Sequence, residues 1–290
     1  MRATGGEAAR TRRKRRAVVL ATAGAACLSG VGAVPAQAVT YARITAEGAS
    51  TTGSTTGEAL LLERGAKFRI VKMASGANER SLFPVVDRTK GERSPSSVRA
   101  QISASTGYAR SELIVVDAAP MGRANVLEYS IFLPANQVAP KANQWWMFSQ
   151  LKQTNCGVPP VAFELVSGTP SDKLQYKVLL RNDKLGWKAT DSPHGLEIFR
   201  GPIAKGRWVR FKVEYRAEPA RPSRNFLRIW VDGVRTRARL PEGHAIGYTK
   251  ACTEYPVPNS MNLRVGIYRG GVWWTTAGRT WFDNISYGTR

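Results

Sequence analysis

The sequence predicts an all-β fold, an antiparallel β-sandwich or barrel, from three observations. Many strand-length apolar runs are separated by Gly, Pro, Asn and Ser, residues that mark turns between short strands. After residue 38 no long apolar stripe has the 3.6-residue period of an amphipathic helix. No internal repeat indicates a propeller. Short strands joined by turns are typical of sandwiches and barrels.

Residues 1–38 differ from the rest of the chain and predict a secretory signal peptide. Six basic residues between Arg10 and Arg16 precede an apolar run of small residues, and Ala36-Gln37-Ala38 has the form of a cleavage site. We expect cleavage after Ala38 and a secreted, extracellular protein; an uncut signal anchor is the alternative. The arginine pairs leave both the general and the twin-arginine export routes open. No later stretch has the roughly 20 apolar residues needed to span a bilayer, so we expect no membrane association after cleavage.

The remaining chain is expected to form a short lead-in and one domain. Residues 39–58 are rich in Thr, Gly, Ser and Ala and predict a flexible lead-in. No comparable linker interrupts residues 59–290, whose length suits one domain, and we expect a monomer.

Alternation of apolar and polar residues identifies the individual strands. In Arg207–Tyr215, every second residue from Val209 is apolar, which predicts a half-buried strand. Phe226–Val231 is followed by Asp232-Gly233, a pair that readily takes the positive φ of a hairpin turn. The other predicted strands are Ser97–Ser103, Glu112–Asp117, Val126–Leu133, Gln144–Gln150, Leu174–Leu180, Leu196–Phe199, Asn262–Tyr268 and Thr280–Ser286.

The charge of the chain predicts a polyanionic partner. The 290 residues include 43 Lys and Arg against 21 Asp and Glu, a net charge of +22. Without residues 1–38 the balance is 36 against 20, a net charge of +16. Such a charge raises the local concentration and association rate of a polyanion without specifying which one. Nucleic acid is one alternative, but predicted export and the lack of a recognised motif lead us to expect none.

Cysteine and histidine positions predict a disulfide and no metal site. Cys156 and Cys252 are the two cysteines outside the signal peptide, and we expect them to be bonded in an oxidising compartment; two free buried thiols are the alternative. Neither these cysteines nor His194 and His244 have metal-ligand spacing. No glycine-rich phosphate loop is present, and we expect no cofactor.

Motifs of common hydrolases are also absent. The chain contains no Gly-x-Ser-x-Gly elbow and no His-Glu-x-x-His helix. A glycosidase needs two acids placed across the glycosidic bond, and the glutamates of this chain form no closely spaced pair on one strand. These observations weaken the hydrolase hypothesis without excluding it.

Three predicted strands each present polar side chains on one face, because alternate residues of a strand share a face. If the strands lie side by side on one concave sheet, these side chains form a groove suited to an acidic sugar. The side chains are Arg110 with Glu112, Gln150 with Lys152, and Arg264 with Gly266 and Tyr268.

In these segments the sequence resembles the jelly-roll polysaccharide lyases, which have concanavalin A-like sandwiches and include alginate, glucuronan and heparin-lyase-like enzymes. The resemblance covers most of residues 100–290. The ordered motifs that place it nearest the heparin-lyase-like branch are Gly206-Arg207-Trp208, Trp230-Val231-Asp232-Gly233, Val265-Gly266-Ile267-Tyr268-Arg269 and Phe282-Asp283-Asn284-Ile285.

The resemblance implies a role for each matching position. Arg110 matches a substrate-binding Arg, Gln150 a carboxylate-binding Gln and Tyr268 the catalytic Tyr. The chain departs from the family pattern at Arg264, which replaces a Lys, and at Lys152, which replaces the His that serves as a base.

β-Elimination removes the C5 proton of a uronate, which requires neutralisation of the neighbouring carboxylate, a base and an acid for the leaving O4. The resemblance therefore implies a lyase in which Tyr268 acts as both base and acid when proton and leaving group lie on the same ring face. Gln150 and Arg110 would hold the carboxylate, and Lys152 and Arg264 would tune the phenol or bind neighbouring sugars.

Further expected substrate contacts come from Glu112, Trp273, Trp274 and a loop carrying His194. The two indoles could stack on a sugar or only cover the core.

Two other functions stay open. A secreted binding module for acidic glycans could keep the groove and lose turnover with Lys152 in place of His. A glycoside hydrolase would depend on an acid pair instead of Tyr268. Without the resemblance, Arg110 with Glu112 would be read as an ordinary charge pair, and Gln150 with Lys152 as a solvated sheet face.

Overall fold

A computed structural model of the chain describes residues 40–44, 50–53, 58–63, 66–74, 85–104, 109–153, 158–170, 173–181, 195–218, 221–240, 260–271 and 274–290. Up to residue 74, and at 116–119, 222 and 271, only the backbone course is described. All of these residues belong to the unit Gln37–Arg290, and the predicted signal peptide lies outside them. Among them there is no α-helix, and no helix suited to crossing a membrane is found.

Seventeen described strands form two antiparallel sheets. The eight-stranded sheet contains β1 (Thr40–Ile44), β5 (Val85–Asp87), β6 (Ser97–Ile102), β8 (Ala124–Phe132), β13 (Trp208–Arg216), β14 (Phe226–Val231), β15 (Val234–Arg235) and β17 (Gly278–Thr289). The nine-stranded sheet contains β2 (Ser50–Gly53), β3 (Glu58–Glu63), β4 (Ala66–Ala74), β7 (Ala109–Pro120), β9 (Gln144–Gln153), β10 (Val161–Ser167), β11 (Leu174–Leu180), β12 (Leu196–Pro202) and β16 (Ser260–Gly271).

The strand order brings distant parts of the sequence together. The smaller sheet runs β15-β14-β13-β8-β17-β6-β5, with β1 pairing with the far end of β17. The larger sheet runs β12-β11-β10-β9-β16-β7-β4-β3-β2. In the larger sheet, β16 therefore lies between β7 and β9.

The core lies between the two sheets and is centred on aromatic rings. Phe211 of β13 stacks on Tyr129 of β8 with ring centroids 5.3 Å apart. It also contacts Phe148 at 5.5 Å and Tyr176 at 5.2 Å, and both of these rings come from the larger sheet. Such inward-facing side chains on both sheets exclude water from the whole interface.

One cation is enclosed at the end of β16. Arg269 is 0% exposed, and its guanidinium donates to the carbonyl oxygens of Thr276 at 3.0 Å and Ser103 at 2.5 Å. Burial lowers the pKa of Arg269 to about 10. The group lies 4.7 Å from the centroid of the Trp274 ring. Arg269 thus ties the end of β16 to the adjoining loops.

The predicted all-β fold is confirmed as an antiparallel β-sandwich. The predictions for Leu174–Leu180 and Phe226–Val231 match β11 and β14 at both ends. Asp232 and Gly233 have φ angles of 50° and 81°, as expected for the hairpin turn between β14 and β15.

Two parts of the segment predicted as a flexible lead-in, residues 39–58, form β1 and β2. β1 pairs with β17 from Thr40↔Thr289 to Ile44↔Ile285, and β2 pairs with β3. Thr is common in strands, and backbone pairing at a sheet edge does not require large apolar side chains. Amino-acid composition by itself does not reveal these strand pairings.

Candidate functional site

The polar side chains predicted to form a groove come from three adjacent strands of the larger sheet. β7 carries Arg110 and Glu112, β16 carries Arg264 and Tyr268, and β9 carries Gln150 and Lys152. Intervening residues such as Leu113, Leu151 and Leu263 point into the core, so the polar set faces away from it.

Strand register brings the polar residues into rows across the sheet. Arg264 lies opposite Gln150 on one side, and Tyr268 lies opposite Arg110 on the other. Gly266 lies opposite Glu112. Neighbouring strands are about 4.8 Å apart, so side chains in one row can touch.

Glu112 is the centre of this arrangement. The residue is 2% exposed, and its Oε1 accepts a hydrogen bond from Nε2 of Gln150. Its Oε2 lies 3.0 Å from Nε of Arg110 and 3.8 Å from a terminal nitrogen of Arg264. We call these four residues the Glu112 cluster. Two guanidinium groups face one carboxylate, which leaves the cluster with a surplus positive charge.

Tyr268 is held between a cation and an indole. The guanidinium carbon of Arg110 lies 3.8 Å from the centroid of the Tyr268 ring, and Trp145 meets the ring edge-on at 4.6 Å and 90°. The same two rings pack on a small apolar patch made of Met147, Ala162 and Leu179. These contacts fix the ring plane and hence the direction of the phenol oxygen.

Lys152 lies at the edge of the Glu112 cluster and is half-buried. Burial lowers the pKa of Lys152 to about 8, and the positive charges of Arg264 and Arg110 act in the same direction. Glu112 acts in the opposite direction. An amine with this pKa is partly uncharged in mildly alkaline solution.

Gly266 allows β16 to approach β7 closely. Its φ is +151°, and a Cβ atom there would overlap the carbonyl oxygen of Ser111 and lie 2.6 Å from Cα of Glu112. The pairing of β16 with β9 shifts register between Val265 and Tyr268, which marks a β-bulge at the same place. The bulge and the glycine together set the position of Tyr268 relative to Glu112.

Oε1 of Gln150 is one of several buried polar atoms of the cluster that make no hydrogen bond among the described residues. Gln150 is 1% exposed, and its Oε1 receives no hydrogen bond there. An unsatisfied buried acceptor costs about 1–3 kcal/mol, so such atoms call for an explanation.

A second buried carboxylate, which the sequence analysis did not identify, lies on the same face of the sheet. Glu164 of β10 pairs with Lys177 at 3.3 Å and with Arg181 at 3.0 Å. A charged residue within the apolar run Val161–Ser167 was the available signal. The described residues hold no group of three His, Cys, Asp or Glu side chains that could bind a metal.

Trp274, one of the predicted contact residues, does not join the site. Trp274 is 4% exposed and packs on Trp146 with ring centroids 5.8 Å apart, so it covers the core and is not available to stack on a sugar. Trp145, one residue before Trp146 on β9, supplies the indole beside Tyr268 instead. The other predicted residues lie outside the described ones: Trp273, His194, His244, Cys156 and Cys252.

Most of the chain matches the model of one known family. The family model described as polysaccharide lyase matches residues 49–286. The chain belongs to the polysaccharide lyase family. The match begins within the segment predicted to be a lead-in and ends in β17.

Solved structures with similar folds include a glucuronan lyase and alginate lyases. An endo-β-1,4-glucuronan lyase from the fungus Trichoderma reesei is 12% identical, with 87% of this chain and 95% of that chain covered and a TM-score of 0.49. The alginate lyase AlyC3 is 13% identical, with 87% and 89% covered and a TM-score of 0.48. An alginate lyase from Klebsiella pneumoniae is 12% identical, with 83% and 94% covered and a TM-score of 0.49.

These similarities concern the fold and extend to no individual residue. No curated protein sequence matches the chain.

Proposed function

We propose that this polysaccharide lyase cleaves an acidic, uronate-containing polysaccharide by β-elimination on the outer face of β7, β16 and β9. The observation that carries the proposal is the surplus positive charge of the Glu112 cluster directly beside Tyr268. A uronate places a carboxylate next to the carbon that loses its proton, so the reaction needs cations and a proton-transfer group side by side.

The cluster supplies the groups that neutralise the carboxylate. Arg110 and Arg264 each retain N–H groups beyond those directed at Glu112, and a guanidinium has five such donors. The amide nitrogen of Gln150 has a second hydrogen after donating to Glu112. Donors fixed in place before the reaction stabilise the enolate-like charge that develops when the C5 proton leaves.

Tyr268 is the proton donor to the leaving O4. A phenol carries its proton at neutral pH and can release it within hydrogen-bond reach of an alkoxide. Arg110 over the ring face favours the negative charge that the oxygen acquires in this step. The held ring also supplies an apolar surface, with Trp145, for the adjoining sugar.

The predicted signal peptide and the basic composition support an extracellular place of action and a negatively charged substrate. We expect the protein to act outside the cell on a polymer of negative charge, where a net charge of +16 after signal cleavage favours encounter. A glycosidase is less well supported, because Glu112 and Glu164 are buried and each is paired with two cations.

The test is ultraviolet absorbance of the unsaturated product. Purified protein without residues 1–38 is incubated with glucuronan, alginate, heparin, heparan sulfate, chondroitin and hyaluronan. We expect absorbance to rise with one polymer and to fall by at least about 100-fold in Tyr268→Phe, the usual scale for loss of a general acid or base. Tyr287→Phe, on β17 of the other sheet, is the control and should stay active.

The outcomes separate the function classes. Full activity in Tyr268→Phe contradicts its role as acid. No absorbance with any polymer, but retention of the protein in an affinity gel, indicates a binding module. Saturated reducing ends indicate a hydrolase.

A further inference from the structure

Lys152 occupies the end of the site farther along β9. It follows Gln150 by two residues on the same face and lies opposite Asn262 of β16. The side chain is half-buried, so part of it is accessible from outside the sheet. It therefore faces the same space as the Glu112 cluster.

Charged groups on two other strands of the larger sheet act on the Lys152 amine. β16 contributes Arg264, and β7 contributes Arg110 and Glu112. On the other side of β9, β10 places the non-ionisable Ala162 opposite Gln150. Burial is the main effect that disfavours the ammonium form, and the two positive charges, opposed by one negative charge, act in the same direction.

Arg110 connects Lys152 with Tyr268. Its guanidinium lies on the Tyr268 ring, and its charge acts on the Lys152 amine. Along β16, Arg264 lies between Asn262, which is opposite Lys152, and Tyr268. This placement suits a reaction in which one group takes a proton and another gives one.

We propose that Lys152 is the base that removes the C5 proton, with Tyr268 as the separate acid. The inference rests on the proposed function and divides between two residues the roles that the sequence analysis gave to Tyr268 alone. The lone pair of Nζ takes the C5 proton, and the electrons of the C5–H bond form the C4–C5 double bond. The C4–O4 bond breaks, and O4 takes the phenol proton of Tyr268. Solvent then removes the ammonium proton and returns one to the phenolate.

The other groups of the site are unsuited to this task. Guanidinium groups stay protonated and have no acceptor, which excludes Arg110 and Arg264. Glu112 is buried and already contacted by three donors. A base is most effective when its pKa lies near the working pH, and the pKa of Lys152, about 8, meets that condition in mildly alkaline solution.

The experiment removes the amine and then supplies it from solution. Lys152→Arg keeps the charge without an acceptor, and Lys152→Ala leaves space for a small amine. We expect both variants to lose at least about 100-fold in kcat on the polymer that the wild type cleaves. Methylamine or ethylamine should restore activity to Lys152→Ala, in proportion to the concentration of the uncharged amine. Lys177→Arg, a cation on the same face paired with Glu164, is the matched control and should keep its kcat.

The pH profile gives a second readout. Because the uncharged amine is the active form, wild-type kcat should rise with pH and level off above about 8, where Lys152 has lost its proton. If Lys152 had only a structural role, kcat would not rise with pH in this way, and added amines would not restore activity.

Two results would overturn the inference in different ways. In the first, the wild type is active, and either Lys152→Arg is also active or amines do not rescue Lys152→Ala. Both proton transfers would then belong to Tyr268, and the proposed function would stand. A wild type that yields no unsaturated product from any polymer overturns the proposed function and the role of Lys152 together.

Discussion

Glu112 is the residue on which the other side chains of the site depend. Its two oxygens hold Gln150, Arg110 and Arg264 in place, and Arg110 in turn lies on the ring of Tyr268. A buried carboxylate of this kind need not add net stability, but removing its charge leaves two cations without a counterion. Its role in catalysis is to position these groups and does not require contact with substrate.

We predict that Glu112→Gln lowers kcat/KM by about 100-fold, because misplaced donors no longer stabilise the developing charge. Glu164→Gln is the control, since Glu164 is also buried and paired with two cations on the same face. Both substitutions should lower the free energy of unfolding by about 3 kcal/mol.

Steady-state kinetics of both variants are measured well below their unfolding temperatures, so that loss of stability does not affect the rates. Glu112→Asp is measured with them because it keeps the charge. Equal losses of activity in the two glutamine variants would show that Glu112 has only a structural role.

Among the strands, β16 can approach β7 closely because residue 266 is a glycine. A Cβ there meets the backbone of β7, which cannot move without disturbing Glu112. The adjacent bulge against β9 places Tyr268 opposite Met147. The strand therefore sets the distance between Tyr268 and the Glu112 cluster through its backbone.

We predict that Gly266→Ala lowers the free energy of unfolding by about 3 kcal/mol and also lowers activity. Gly122→Ala is the matched control: Gly122 also has a positive φ, of 80°, but an added Cβ would meet no atom within 4 Å. That control should lose only about 1 kcal/mol. Denaturant unfolding measures both values, and equal losses would show that the contact with β7 does not matter.

The strands themselves were largely predictable because period-2 alternation marks strands with one buried face. β11 and β14 match their predictions at both ends. β10, which was not predicted, reads Val161–Ser167 with five consecutive buried residues, so alternation is absent. β1 pairs with β17 at the other end of the chain, and the short β2 (Ser-Thr-Thr-Gly) contains no large apolar residue.

The sequence predicts which side chains of one strand share a face, but it does not predict which side chains of different strands meet. Alternation placed Gln150 with Lys152, and Arg264 with Tyr268, on common faces. It could not show that Gln150 donates to Glu112, because the residues are 38 positions apart and meet only through the order β7-β16-β9. The role of Glu112 as the common acceptor therefore required the structure.

For the molecule as a whole, positive charge should govern the encounter with substrate. The chain without residues 1–38 has a net charge of +16, and its attraction for a polyanion extends about 30 Å at 0.01 M salt but about 10 Å at 0.1 M. We predict that kcat/KM falls by about tenfold between these conditions, while kcat at saturating polymer changes little. Steady-state kinetics across a salt series measure both, and a kcat/KM independent of salt would contradict this expectation.

The central position of β17 has a consequence for how the protein folds. β17 pairs with β8, β6 and β1, whose sequences lie between about 150 and 250 residues earlier. None of these pairings can form until residues 278–289 have left the ribosome. Contacts so distant in sequence make folding slow, on the scale of milliseconds to seconds or longer. The smaller sheet can therefore be completed only after synthesis of this segment, and a nascent chain that stalls before β17 would expose the edges of β6 and β8 to aggregation.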